Sequence, residues 1–462
     1  MPVLLNRAYA LTAIGASLQL TGEEDVPEPR GVHVEVDLPD DVRLQHDLTL
    51  ADLGLPLDLR GIDKALADRL PGLPPAWHTE LLRALEPAPR DQPVWLDFRR
   101  PFGHLPAIPW ERLLLPQLGF PLLRLPFSAV PPPDVPADDL RVAVCAPWSG
   151  TTALRDYLGT VVQILPGARV DVFTADREAV DWVAPGTMVR FHEPPTEDEL
   201  FEPTSPSPDA PVDSRPDNPW LRWMLDEIAP GTVDVVHLIC SARVSENYGL
   251  LDFGASPAGV DSPRAIRLVS VAQLLACLTE LGAWSLSVAM PESRAPRRGE
   301  AGLRIFMHRM TGLLSGPVIL HAPAGPATEL AAAYRFLYTP GPHQLPMTPT
   351  LMVACHPLLV QSRTASTSPA PRKDDVTAER IESALRDCTL DAGVLRQARR
   401  DPTEPSAWVA SSQRILERWT SNLLGTEVDP AGSDTASRGV TDALSFISRS
   451  IESSVRGKRD DR

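Results

Sequence analysis

Val233-Asp234-Val235-Val236-His237-Leu238-Ile239-Cys240 is a short, almost wholly apolar run rich in valine, and it continues as Ser241-Ala242-Arg243. A run of this length and composition reads as a strand buried on both faces, the kind found in the middle of a parallel sheet. A second such run, residues 284–289, leads into Met290-Pro291-Glu292-Ser293. Between the two, Ser270 is placed as the N-cap of a helix over 271–281, and Gly282 as its terminator. Strand, helix and strand in this order predict neighbouring parallel strands. Positions 241 and 290 then sit side by side at the carboxyl ends, where open parallel sheets gather ligands.

The same alternation extends in both directions. Residues 140–146 and 169–173 read as strands, joined by a helical pattern over 151–165 with Leu154, Leu158, Val161, Val162 and Leu165 on one face. A further strand is expected at 187–191, then a loop over 193–218 dense in Pro, Glu, Asp and Ser that is expected to pack poorly. Trp220 and Trp223 lie on the helix that follows, as core residues or as an exposed anchor. Residues 248–253 read as a hairpin-like excursion, and 265–269, 317–320 and 350–354 as short strands. Helices are expected at 300–314 and 329–338.

The expected fold class is α/β, a mainly parallel sheet with helices on both faces over residues 136–360. An α+β lead-in lobe over 1–135 precedes it, with strands at 32–38 and 94–98 and helical stretches within 62–85. A Ser/Thr/Pro-rich linker at 361–375, a helical region at 376–455 and a frayed tail at 456–462 complete the chain.

The hydrophobic fraction of 43% is ample for a packed interior, and the formal charge of −16 disfavours nucleic acid and anionic membrane as partners. Five cysteines (145, 240, 277, 355 and 388) form no CxxC pair, which suits reduced thiols and a cytoplasmic location. Residues 1–20 lack the continuous apolar core of a signal peptide, and no run reaches the length of a membrane span. Phosphate-loop, dinucleotide and HExxH zinc motifs are absent, so no cofactor or metal is expected.

Several segments carry a resemblance. Pro101-Phe102-Gly103-His104-Leu105-Pro106-Ala107-Ile108-Pro109-Trp110-Glu111-Arg112-Leu113, the run 235–242, residues 248–253, and 312–323 with 328–338 are together similar to the CHAT family, bacterial relatives of caspases and separases. The resemblance covers roughly residues 31–360 and implies a caspase-like fold with a histidine after the third core strand and a cysteine after the fourth. The histidine slot falls on Ser241, followed by Ala242 where the family has glycine. The cysteine slot falls on Met290, or on Ala289 if Pro291 shifts the alignment by one. A thioether has no proton to lose, and a serine hydroxyl is no base near neutral pH.

Substitutes are scarce. His237 and Cys240 are an odd number of residues apart in a strand and leave on opposite faces. Cys240 with His308 or His321, and Cys355 with His356, are the other combinations, each read as buried and inert. The resemblance therefore implies an inactive pseudo-protease that binds a protein partner within a bacterial multi-protein system. Ser241, Arg243, Met290, Glu292 and Ser293 would line the vestigial cleft, with Arg243 offered as a donor to a carboxylate. The alternatives are an active CHAT-type cysteine peptidase with a displaced dyad, and a small-molecule-binding α/β protein.

Overall fold

The apolar run around His237 occupies the interior of a twelve-stranded sheet. The structure is a computed structural model that describes residues 14–21, 31–38, 42–55, 72–88, 90, 92–99, 102–126, 140–147, 155, 159, 167–176, 188–196, 218–245, 248–254, 256–258, 266–290, 299–321, 326–339, 343–344, 347–357 and 359–360. The chain divides into two units, Met1–Ile381 and Glu382–Arg462, and every described residue belongs to the first. The linker at 361–375 and the region at 376–455 lie outside the described residues. So do most of the helix at 151–165 and positions 197–217 of the Pro-rich loop.

In chain order the elements are β1 (Ile14–Thr21), β2 (Gly31–Asp37), β3 (Arg43–Thr49), α1 (Pro75–Leu85), β4 (Val94–Phe98), α2 (Trp110–Leu118), β5 (Leu122–Arg124), β6 (Arg141–Ala146), β7 (Arg169–Thr174) and β8 (Val189–His192). There follow α3 (Pro219–Ile228), β9 (Val235–Ile239), β10 (Ser241–Ser245), β11 (Tyr248–Gly254), β12 (Ile266–Val269), α4 (Val271–Leu281), β13 (Ser285–Ala289), α5 (Glu300–Met310), β14 (Val318–His321), α6 (Ala327–Tyr338) and β15 (Leu351–Ala354).

The large sheet runs β3-β2-β1-β4-β5-β15-β14-β13-β9-β6-β7-β8. Pairing is antiparallel at β3-β2, β2-β1 and β15-β14 and parallel elsewhere, so the fold is α/β with a mostly parallel mixed sheet. The lead-in strands join the same sheet through β15. Two of them, β1 and β3, were not expected from the sequence, because short polar interruptions hide their alternation.

Side-chain alternation sends neighbouring residues of each strand to opposite faces. One face carries Val142, Val144, Val235, Ile239 and Ile319 under α6, through Leu330, Tyr334 and Leu337. The other carries Ala143, Val236, Leu238, Leu286 and Val288 under α3, α4 and α5. Trp220 and Trp223 belong to this second core, which settles them as core residues rather than an exposed anchor. A third cluster packs α1 and α2 on the lead-in strands. Helix α4 starts at a capping box between Ser270 and Gln273 and stops at Gly282, in the left-handed conformation at φ 71°.

The Pro-Trp-Glu turn explains how α5 is anchored. Buried Glu111 accepts from Arg124 Nε (2.8 Å) and from Arg304 Nη1 (2.6 Å). Arg304 Nε also donates to Glu300 (2.9 Å), and Glu300 accepts from Arg112 Nη2 (2.7 Å). Burial alone would raise the Glu111 carboxyl, but Arg124 and Arg304 outweigh it and hold the group well below the usual carboxylate range. Among the described residues, no helix is long and apolar enough to cross a membrane.

Candidate functional site

The carboxyl ends of β9, β13 and β14 lie side by side, with Ala289 opposite both Ile239 and His321. The Cys240 N–H donates to the Ala289 carbonyl at 3.0 Å, and the Met290 N–H donates to the His321 carbonyl at 3.0 Å. Ser241 and Met290 thus follow directly on hydrogen-bonded neighbouring strands. Their side chains face different surroundings. Met290 is 6% exposed and belongs to the apolar core that holds Leu303 and Phe306, so its thioether points into packing.

Ser241 leaves the large sheet and opens a second, three-stranded antiparallel sheet of order β10-β11-β12. Its hydroxyl donates to Asp252 Oδ2 at 3.3 Å, and Arg243 Nε donates to the same oxygen at 3.0 Å. Position 241 is therefore a donor to a carboxylate. Arg243 is engaged by Asp252 yet half exposed. Glu292 and Ser293 lie outside the described residues.

Helix α5 closes the underside of this small sheet by backbone contact. Gly299, at φ 87°, and Gly302 lie against the backbone of Ala242 and Arg243, and a Cβ at Gly302 would come within 2.8 Å of the Arg243 carbonyl carbon. A Cβ at Gly249 would overlap the Gly302 carbonyl oxygen. Only glycine permits this approach.

The substitute dyads fail on burial and direction. His237 lies under α6, its Nδ1 2.7 Å from the Tyr334 hydroxyl, whereas Cys240 packs on the opposite face. Burial raises the Cys240 thiol above its ordinary range, with the Asp252 charge adding to the effect, and holds Cys355 at about 12. Burial lowers His321 to about 4 although Glu329 opposes it, and lowers His356 to about 4. His308 stacks edge-on against Phe98 and Phe102, with ring centroids 5.2 and 4.8 Å away. It is far from a cysteine's requirements, since burial, Arg124 and Arg309 hold it at about 3.

His192 sits between Asp171 (2.8 Å) and Glu227 (2.8 Å) and stacks flat on Phe173, which ties β8 to α3. Among the described residues, no group of His, Cys, Asp or Glu could hold a metal ion.

Sequence reasoning missed Asp252 as the partner of position 241. The available signal was the strict alternation of Ser241-Ala242-Arg243-Val244-Ser245, a strand pattern with polar residues on one face. Polar residues within the core strands were equally informative: Ser285 donates to the Pro317 carbonyl at 2.6 Å and lies 2.6 Å from the Tyr338 hydroxyl, so α6 supplies partners that a strand pattern cannot reveal. Comparison with protein-family models and with curated proteins finds no match to the chain.

Proposed function

We propose that the chain is a caspase-like protein of the CHAT type that does not hydrolyse peptides and acts in the cytoplasm by binding another protein within a bacterial multi-protein system. The single observation that carries this reading is the placement of Ser241 and Met290 at the ends of β9 and β13, with the Cys240 N–H bonded to Ala289 between them. In a caspase-like scaffold those ends hold the base and the nucleophile. Here one is a hydroxyl bonded to Asp252, and the other is a buried thioether. Neither supports proton abstraction or thiolate attack.

The net charge of −16 favours a protein partner over nucleic acid or an anionic membrane. A thiol-directed activity probe and a fluorogenic peptide panel on the purified full chain test the reading. The expected result is no labelling of the folded protein and hydrolysis at background. Labelling of Cys240 with peptide cleavage abolished by Cys240→Ser would establish an active peptidase with a displaced dyad instead.

A further inference from the structure

Among the described residues, β3 is the outer strand at one end of the large sheet. The Leu38 N–H donates to the Val42 carbonyl at 2.8 Å, which fixes the phase of the ladder between β2 and β3. Antiparallel pairs alternate between bonded and unbonded. Leu44, His46 and Leu48 therefore bond to β2, opposite Val36, Val34 and Val32. The N–H and C=O groups of Arg43, Gln45 and Asp47 point off the open edge. Thr49 closes that edge, because its N–H donates to Asp52 and its carbonyl accepts from Leu53.

Side chains sort by the same parity. Arg43, Gln45 and Asp47 are exposed on one face of the sheet, Asp47 to 81%. Leu44 and Leu48 pack partly buried against the core under α1 on the other face, where His46 meets Trp77 edge-on at 5.7 Å. Val42 shares that second face and is 48% exposed, one of the few large hydrophobic side chains of the described residues left in water. An open edge of this kind is a template for a further strand, and charged side chains are the usual protection against it.

The charges of β3 give no such protection against β3 itself. With a two-fold axis normal to the sheet at Gln45, the outward groups of Arg43 meet those of Asp47 in a second copy, and Gln45 meets Gln45. The Arg43 and Asp47 side chains then stand opposite each other, and Val42 falls opposite Leu48 in an unbonded pair, where side chains approach closest. An axis at Arg43 or at Asp47 sets like charges against each other. At His46 it aims Arg43 at Thr49, whose backbone groups are taken, and at Leu44 it carries Asp47 past the start of the strand. Arg43 is bonded to Asp37 and Glu35 within the chain, and Asp47 to His33, so charge selects the register while backbone and apolar contacts supply the affinity.

We propose that β3 pairs antiparallel with β3 of a second copy of this chain about a two-fold axis at Gln45, joining two sheets edge to edge. The second copy is the occupant because one symmetric register satisfies the open backbone, the charges and Val42 together. The inference is independent of the non-catalytic reading. One short strand buries less than a standard interface, so the dimer is weak.

Sedimentation velocity on the full chain tests this. The chain is expected to be monomeric at about 10 µM and to populate a dimer at about 500 µM. Gln45→Pro removes an outward donor and leaves the bonds to β2 in place, and Asp47→Lys sets a cation opposite Arg43. Each should weaken the dimer about tenfold or more, and Met188→Ser, at an exposed position beside β8, should not. Because Asp47 is exposed, Asp47→Lys keeps its fold even where Gln45→Pro does not.

Oxidative cross-linking then reads the register. The four described cysteines are buried, so Gln45→Cys is made in a Cys388→Ser background. Its two copies meet at about 5.5 Å between Cα atoms, within reach of a disulfide, whereas those of Asp47→Cys stand about 14 Å apart. A disulfide dimer is expected for the first and not the second. A chain that stays monomeric at about 500 µM leaves the edge to solvent or to a strand of another protein and overturns the proposal. A dimer that survives Asp47→Lys, or that cross-links at 47 rather than 45, overturns it as well. None of these outcomes bears on peptide hydrolysis, so the non-catalytic reading stands or falls separately.

Discussion

His237, His308, His321 and His356 are buried in the folded chain, and burial, which disfavours the charged imidazolium, lowers them to about 3, 3, 4 and 4 from the ordinary 6.5. Each is neutral in the fold at pH 7. In the unfolded chain each takes up a proton as the pH falls through about 6.5, while the folded chain does not. The stability they permit is therefore complete above that value and is lost progressively down to the folded values. The slope is about 1.4 kcal/mol per pH unit for each histidine. Urea midpoints should drop between about pH 7.5 and about pH 5.5, a window above most carboxylate titration. His308→Leu should flatten the slope, because that ring meets Phe98 and Phe102. A midpoint that does not move across the window would contradict the buried, neutral assignment.

Helix α5 is held twice, by charge toward the lead-in elements and by bare backbone toward β10 and β11. Glu111 stands between the guanidiniums of Arg124 and Arg304, all three buried. Glu111→Gln leaves two buried cations short of a counter-charge, and the expected cost is about 3–5 kcal/mol in chemical denaturation. A loss below about 1 kcal/mol would mean that water reaches the cluster. On the other side, Gly249→Ala forces a methyl group against the Gly302 carbonyl. The expected penalty is about 1–3 kcal/mol. Amide exchange should quicken in residues 241–254 while β6 and β9 stay protected, since the hairpin can lift without disturbing the large sheet.

At the scale of the whole molecule, the double substitution Ser241→His with Met290→Cys should not create a peptidase. Position 290 points into the core beneath α5, so a cysteine there would resemble Cys277, a thiol that burial, with Glu280 adding to it, holds at about 12. Peptide hydrolysis by that variant above background, blocked by a thiol reagent, would show that the strand ends open in solution. The sequence by itself determined the strand 94–98, the strands within 233–240 and 284–289 that the structure bounds at Val235–Ile239 and Ser285–Ala289, and the helix Val271–Leu281, because apolar runs, a Ser270 cap and a Gly282 stop are local signals read without knowledge of neighbours. It also determined that neither Ser241 nor Met290 can do cysteine-protease chemistry, since that follows from side-chain type alone. Only the tertiary structure decided that β1 to β5 join the same sheet through β15, because strand partners far apart in the chain leave no local trace. Only it placed Arg124 and Arg304 on either side of Glu111 and directed Met290 inward, and these are consequences of which faces meet in three dimensions. The exposed face of β10-β11-β12 belongs to the same class: alternation says that a strand has two faces, and packing against α5 decides which of them is left to solvent.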